Sequence, residues 1–246
     1  MPPLLPEIPD LHIFFLTVGE NVAIESLRAL KEHTIQPYKL TIWYDACGRE
    51  IDWGFYEMLR SYTDDVVLLT KNHGTSGALS YALLYLDGRY VMTVPADTVV
   101  RPGYLDRFYL AFSRFNKVAV AGCFRNVKTD IDFIVNSKEF MPDGILLFSR
   151  DAINNIGGVC AQFKGMGMEY LEWLERARHH GWNLVTCQGV MDEIGTMHDG
   201  RSMNPKVKEE IQKSIDTYLP ILDGKYKDFV WWKSGEEKGR TQCLTM

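Results

Sequence analysis

"VMTVPADTVVRPGYL", residues 91 to 105, opens as a run of apolar and β-branched side chains, stops at Pro95, presents one carboxylate at Asp97, and turns toward a helix near Pro102. A short apolar run bounded by proline reads as a buried strand, because proline cannot donate to a ladder and ends it. Asp97 therefore stands at the carboxyl end of a strand. There a carboxylate either caps the next helix or serves as a functional group. The helix begins several residues further on, so Asp97 sits early for a cap.

Similar runs recur on the N-terminal side. "HIFFLTV" (12–18), "YKLTIWY" (38–44), "DVVLL" (65–69) and "RYVMTV" (89–94) read as strands, and "ENVAIESLRALKEH" (20–33), "DWGFYEMLRSY" (52–62) and "TSGALSYALLYLDG" (75–88) read as helices between them. Strand and helix in alternation predict an α/β fold with a mostly parallel central sheet flanked by helices. In such sheets ligands bind outside the carboxyl ends of the strands, so Asp45 and Asp97 are expected to face one crevice. The second half is less regular. "KVAVAGCF" (117–124) reads as a strand, followed by a loop-rich stretch to Pro142, a strand "GILLFS" (144–149), a short helix "RDAINNIGG" (150–158) and a longer one at 166–182. "NLVTCQG" (183–189) is expected to close the sheet with an antiparallel neighbour, which gives the C-terminal half an antiparallel portion. One domain is predicted over 1–204. A charged helix at 205–219 and an aromatic tail with Trp231 and Trp232 then pack on it within 205–246.

Composition narrows the class. The chain has 246 residues, 46% hydrophobic and 24% charged, with a formal net charge of −5. That charge supplies no basic field, so stable nucleic-acid binding is not expected. No stretch approaches the roughly 20 apolar residues of a membrane span. The five cysteines form no CxxC pair, which fits reduced thiols and a cytoplasmic protein.

The segment "NHGTSGALSYALLYLDGRYVMTVPADTVVRPGYL" (72–105) resembles the central motif of the glycosyltransferase family 2 enzymes, which have the GT-A fold. Asn72, Gly74, Ala78, Gly88, Tyr90, Val91, Pro102 and Leu105 fall in step with it. The departure is at the metal motif: Pro95-Ala96-Asp97 stands where the family has Asp-x-Asp. The resemblance implies a metal-dependent, inverting transfer of a sugar from a nucleotide-sugar donor, UDP-linked by expectation, to an acceptor hydroxyl. Asn72, Gly74 and Ala96 would line the donor site, and Asp97 would hold Mn2+ or Mg2+. "LTVGENVAIESLRAL" and "LTIWYDACGRE" resemble the family's first two strand-turn units, which makes Asp45 a base-binding candidate, with Thr17 and Glu20 at the same pocket edge. The stretch 144–181 resembles the acceptor half. Glu169 and Tyr170 fall on a Glu-Asp pair, so the usual base is replaced by type and Glu169 becomes the candidate general base, with Glu172 on the same helix face in reserve. "TMHDGRS" (196–202) resembles a late histidine motif, in which His198 completes the metal shell and Arg201 binds the diphosphate.

Plainer readings stand beside these. Asp45 can close an Asx-turn, Glu169 can be a solvated acidic first turn, and His198 can be a surface residue. Trp173 and Trp182 can form a sugar platform but belong more often to a core. His179 and His180, adjacent on a helix, point in different directions and suit an exposed helix end. The aromatic tail packs on the domain by default, with an oligomer contact or a membrane contact as alternatives. The functional rivals are a catalytically inactive nucleotide-sugar-binding protein and a glycosyltransferase acting on modified nucleic-acid bases. A nucleotidyltransferase is disfavoured because "LTVGENVA" has no cation for a phosphate loop.

Overall fold

Strand and helix alternate through the N-terminal half of the computed structural model, which describes residues 10–46, 48–71, 73–123, 132–137, 142–159 and 169–193 with Glu209, Lys213 and Asp216. The elements are β1 (Leu11–Thr17), α1 (Ala23–His33), β2 (Lys39–Asp45), α2 (Trp53–Arg60), β3 (Val66–Leu69), α3 (Gly74–Tyr85), β4 (Tyr90–Pro95), β5 (Thr98–Val100) and α4 (Tyr104–Arg114). The second half adds β6 (Val118–Cys123), β7 (Phe133–Val135), β8 (Asp143–Ser149), α5 (Arg150–Ile156), α6 (Glu169–His179), β9 (Asn183–Cys187) and β10 (Met191–Glu193).

The described residues form an eight-stranded sheet in the order β3-β2-β1-β4-β8-β6-β9-β7. β3, β2, β1 and β4 run parallel, β8 lies antiparallel between β4 and β6, and β9 is parallel to β6. The expectation for 183–189 needs correcting in one respect. β9 does have an antiparallel neighbour, but that neighbour, β7, is the edge strand, and it arises inside the stretch expected to be loop.

Helices cover both faces, so the central strands are apolar on successive residues and not only on alternate ones. Leu11, Ile13 and Phe15 pack with Leu27 and Leu30 of α1, Leu59 of α2 and Phe108 of α4. Phe14 and Val91 point the other way, onto Ala82 and Leu83 of α3, Ile153 of α5 and Trp173 of α6. Each large side chain so buried contributes roughly 1.5–3 kcal/mol. Asp52 starts α2 by accepting the Phe55 N–H at 2.9 Å, and Ser149 starts α5 by accepting the Ala152 N–H at 3.2 Å.

The amino pole of the sheet, away from the expected crevice, holds a polar network. His12 bonds Asp87 at 2.8 Å and Thr41 at 2.9 Å through its two ring nitrogens, and Lys39 donates to the second Asp87 oxygen at 2.7 Å. Arg150 donates to Leu83 O at 2.9 Å, to Gly88 O at 3.2 Å and to Leu86 O, which satisfies carbonyls at the end of α3. In 205–219 the described residues Glu209, Lys213 and Asp216 are helical and exposed, and Glu209 pairs with Lys213 at 2.8 Å. The remainder of 205–246, with the aromatic tail, lies outside the described residues.

Candidate active site

Asp97 stands in a two-residue turn between β4 and β5. The turn is closed by the Thr98 hydroxyl, which donates to Pro95 O at 2.7 Å, while Thr98 O accepts the Ser26 hydroxyl from α1. Thr98 is fully buried, and Ala96 sends its methyl into the core. These contacts leave Asp97 as the polar side chain of the turn, half-buried and with Oδ1 shielded from water. The helix-cap reading does not hold. α4 is preceded by Gly103 at φ 74°, a left-handed residue, and no side chain caps its first turn.

β5 pairs antiparallel with β10, with Val100 opposite Met191, Val99 opposite Asp192 and Thr98 opposite Glu193. Arg101 latches this ribbon. Its Nε donates to Asp192 at 2.7 Å, a second nitrogen reaches the other Asp192 oxygen, and its backbone N–H donates to Val190 O at 2.9 Å. That hydrogen bond holds the Asp192 carboxyl below its ordinary range. Because the pairing runs toward Asp97, the chain leaves the described residues beside the Asp97 turn. His198 and Arg201 lie beyond that exit and Asn72 lies in a gap, so all three fall outside the described residues.

The carboxyl ends of β1 and β2 are joined into one rim. Glu20 accepts the Thr17 hydroxyl at 2.7 Å and the Val18 N–H at 2.9 Å, and Gly19 N–H donates to Thr17 Oγ1 at 3.0 Å. Gly19 has φ +91°, and a Cβ there would lie 3.3 Å from the buried Tyr44 ring, so the turn closes this tightly because the residue is glycine. Arg49 ties the next loop to it, from Nε to Ala46 O at 3.1 Å and from a terminal nitrogen to Val18 O. Thr17 and Glu20 thus bond each other and shape the turn that follows β1.

Asp45 is 5% exposed, and its Oδ2 accepts the His73 N–H at 3.1 Å at the start of α3. That bond is a contact the sequence did not suggest. The carboxylate fixes a helix N-terminus across the sheet, where the helix dipole favours it. Gly74 opens that helix at φ +65°.

The stretch expected to form the acceptor half contains α6. Its C-terminal end feeds β9, whose first residue Asn183 pairs with Val118 at the amino pole, so its first turn, where Glu169 stands, lies toward the carboxyl pole. The side chain of Glu169 is outside the described set. Glu172 does not fit the reserve-base role. It is fully buried, and Arg176 grips it at 2.8 and 3.2 Å while also donating to Ile156 O at 2.8 Å and Gly158 O at 2.5 Å. A carboxylate so enclosed locks α6 onto the end of α5 and cannot take a proton from an entering substrate. Trp173 is core, set edge-on to Phe148 at 5.1 Å and bonded to Gly157 O at 2.9 Å. Trp182 bonds Asn155 at 3.0 Å, and His179 and His180 are exposed at the helix end.

Sequence reasoning missed Arg49 and the Arg101–Asp192 latch. An isolated arginine in a loop carries no local signal, and a pair 91 positions apart carries none either. No group of three or more His, Cys, Asp or Glu comes together among the described residues in a way that could hold a metal ion.

Residues 54–193, more than half of the chain, match the family model described as Glycosyl transferase family 2. The chain belongs to that family. No curated protein sequence matches it. Among solved structures, the mannosyltransferase PcManGT from Pyrobaculum calidifontis, in complex with GDP-Man and Mn2+, superposes at a TM-score of 0.59 and 16% identity, over 78% of this chain and 59% of its own. S. aureus TarS 1-349 superposes at 0.52 and 18%, over 68% of this chain and 55% of its own. The chain therefore spans less than two thirds of either neighbour, and at these identities the likeness establishes the fold, GT-A, and nothing finer. This member of the family keeps Asp97 just after β4 and carries Pro95 two residues before it. It has the half-buried Tyr170 where the resemblance placed an acid.

Proposed function

We propose that the enzyme transfers a sugar from a UDP-linked donor to an acceptor hydroxyl with inversion, using a divalent cation held by Asp97 and His198. The observation that carries this reading is the β5–β10 ribbon, which sends the chain out beside Asp97. His198 follows Glu193 by five residues, so it lies within about 18 Å of Glu193 even if fully extended. Asp97 offers hard carboxylate oxygen, and imidazole beside it favours Mn2+ over Mg2+. The neighbour solved with GDP-Man and Mn2+ supports a cation of that kind. When bound, the cation would neutralise charge on the departing diphosphate.

The chain's own residues would do the rest. Glu169, at the first turn of α6, accepts the acceptor's hydroxyl proton as that oxygen attacks the anomeric carbon from the face opposite the leaving group. The bond between the anomeric carbon and the diphosphate oxygen breaks, and Arg201 meets the developing charge. The rim of β1 and β2, with Asn72 and Gly74 at the start of α3, receives the nucleoside. Asp45 holds that helix start in place.

The test is incubation with a panel of nucleotide sugars and Mn2+, following release of nucleoside diphosphate for wild type, Asp97→Ala and Glu169→Gln. Release by wild type and loss in both variants supports the reading. Tyr170 at the acid's position, packed against the core, favours one alternative: a protein that binds nucleotide sugars without turning them over. Binding without release in any acceptor mixture would establish that alternative.

A further inference from the structure

Arg49 is exposed yet fixed. Its guanidinium bridges the ends of β1 and β2 through Val18 O and Ala46 O, both neutral acceptors. Among the described residues no carboxylate lies within ion-pair distance of it. By contrast, Arg101, Arg107, Arg176 and Arg178 face Asp192, Asp132, Glu172 and Glu175. Immobilising a long side chain costs rotamer freedom, and two bonds to neutral carbonyls in contact with water return little of it. A guanidinium carries five N–H donors, so several remain for a ligand. A fixed fork without a counter-ion is suited to a planar or tetrahedral oxyanion.

The position defines which oxyanion. β1 lies between β2 and β4 in the sheet, and Val18 directly follows its carboxyl end. A donor with its base at the β2–α3 side and its sugar-bearing phosphate at Asp97, beyond β4, must carry its diphosphate across the end of β1. Arg49 is anchored at that crossing. Lys71, at the same pole, bonds no described residue and contributes charge without fixed geometry.

We propose that Arg49 is a donor-binding residue that holds the diphosphate of the nucleotide, an inference that rests on the crevice being a nucleotide-sugar site. It places a fixed cation on the phosphates from the β1–β2 side, opposite the turn where Pro95 has replaced a carboxylate.

Calorimetric titration of the intact chain with UDP, UMP and uridine tests this, using wild type, Arg49→Gln and Arg49→Lys at low and high salt. The expected result is a loss of about tenfold or more in UDP affinity for Arg49→Gln, a smaller loss for UMP and none for uridine. Arg49→Lys recovers part of the loss, and the salt dependence of UDP binding is shallower in Arg49→Gln than in wild type. Equal weakening of all three ligands means that Arg49 acts by holding the rim, which overturns the proposal, as does unchanged UDP affinity. If wild type prefers GDP, the guanosine series is used instead. If wild type binds none of UDP, GDP, ADP or CDP, the donor reading itself fails before any variant is compared. Thermal melts of both variants separate lost binding from lost fold, and Arg49→Lys carries the comparison if Arg49→Gln melts early.

Discussion

Arg176→Met decides whether the Glu172–Arg176 pair is architecture or catalysis. The guanidinium is almost wholly buried and links Glu172 to the carbonyls of Ile156 and Gly158. Removing it takes the neutralising cation from a fully buried carboxylate and leaves the two carbonyls without that donor. Loss of one partner from a buried ion pair costs about 3–5 kcal/mol, a large share of the roughly 5–15 kcal/mol that holds a domain folded. At about 2–4 °C per kcal/mol for a domain of this size, the melting temperature should fall by about 10 °C. Urea midpoints and thermal melts at neutral pH measure it. Glu172→Met combined with Arg176→Met should be less damaging than Arg176→Met alone, because no buried carboxylate then loses its cation. An Arg176→Met chain within about 0.5 kcal/mol of wild type, well under the cost of breaking a buried pair, would refute the reasoning. So would a Glu172→Gln chain that keeps its stability and loses only turnover.

Three further outcomes follow from the site and its supports. The Lys39 hydrogen bond, with His12 adding to it, holds Asp87 below its ordinary value of 3.8. A carboxyl depressed on folding stabilises above its unfolded value and loses that contribution as pH falls through the folded one. The melting-temperature gap between wild type and Asp87→Asn should therefore narrow below about pH 4, and a gap that widens there contradicts the network. Burial pushes the Cys187 thiol up to about 12, so mass spectrometry after N-ethylmaleimide treatment of the folded chain at mildly alkaline pH should find Cys187 unmodified; rapid labelling would mean the strand end opens. Asp97→Asn should abolish the added thermal stability that UDP with Mn2+ gives wild type, read against the variant's own ligand-free melt. Persistence of the ligand shift would remove Asp97 from the proposed cation site.

The parallel half was legible because its signals are local. Runs such as Ile13-Phe14-Phe15 and Val91-Met92 are apolar on successive residues, as strands covered on both faces must be, and Pro95 marks a strand end that the structure keeps. β5, β7 and β10 are three residues each, too short to display a period, and exist through partners far away in the chain. Asp97 could be placed from its position after a strand. Glu172 could be assigned to a helix face but not to an orientation, because spacing within α6 cannot say which face meets the sheet. The one hint was its i,i+4 relation to Arg176, with Trp173 and Ala177 one step along, all four of which are buried. The hydrogen bond from the His73 amide to Asp45 was not legible, because the two become neighbours through the pairing of β2 with β3.

With Pro95 at the first position of the metal motif, Asp97 is the one carboxylate the β4 turn offers, and a single carboxylate holds a divalent cation weakly. A cation held there, as proposed, would take its remaining donors from other chain segments or from the nucleotide. The β5–β10 ribbon supplies a route, since β10 runs toward Asp97 and is latched there by Arg101 on Asp192. The latch involves half-exposed side chains, so it adds little to global stability; its effect is to fix where the chain after Glu193 begins. If His198 and Arg201 complete the site, Arg101→Gln should weaken binding of UDP with Mn2+ far more than it lowers the melting temperature. It should leave metal-free UDP binding, carried by the β1–β2 rim and Arg49, nearly intact. Equal losses with and without the cation would show that the ribbon only props the fold, and the proposed partnership of Asp97 with the segment after β10 would fail with it.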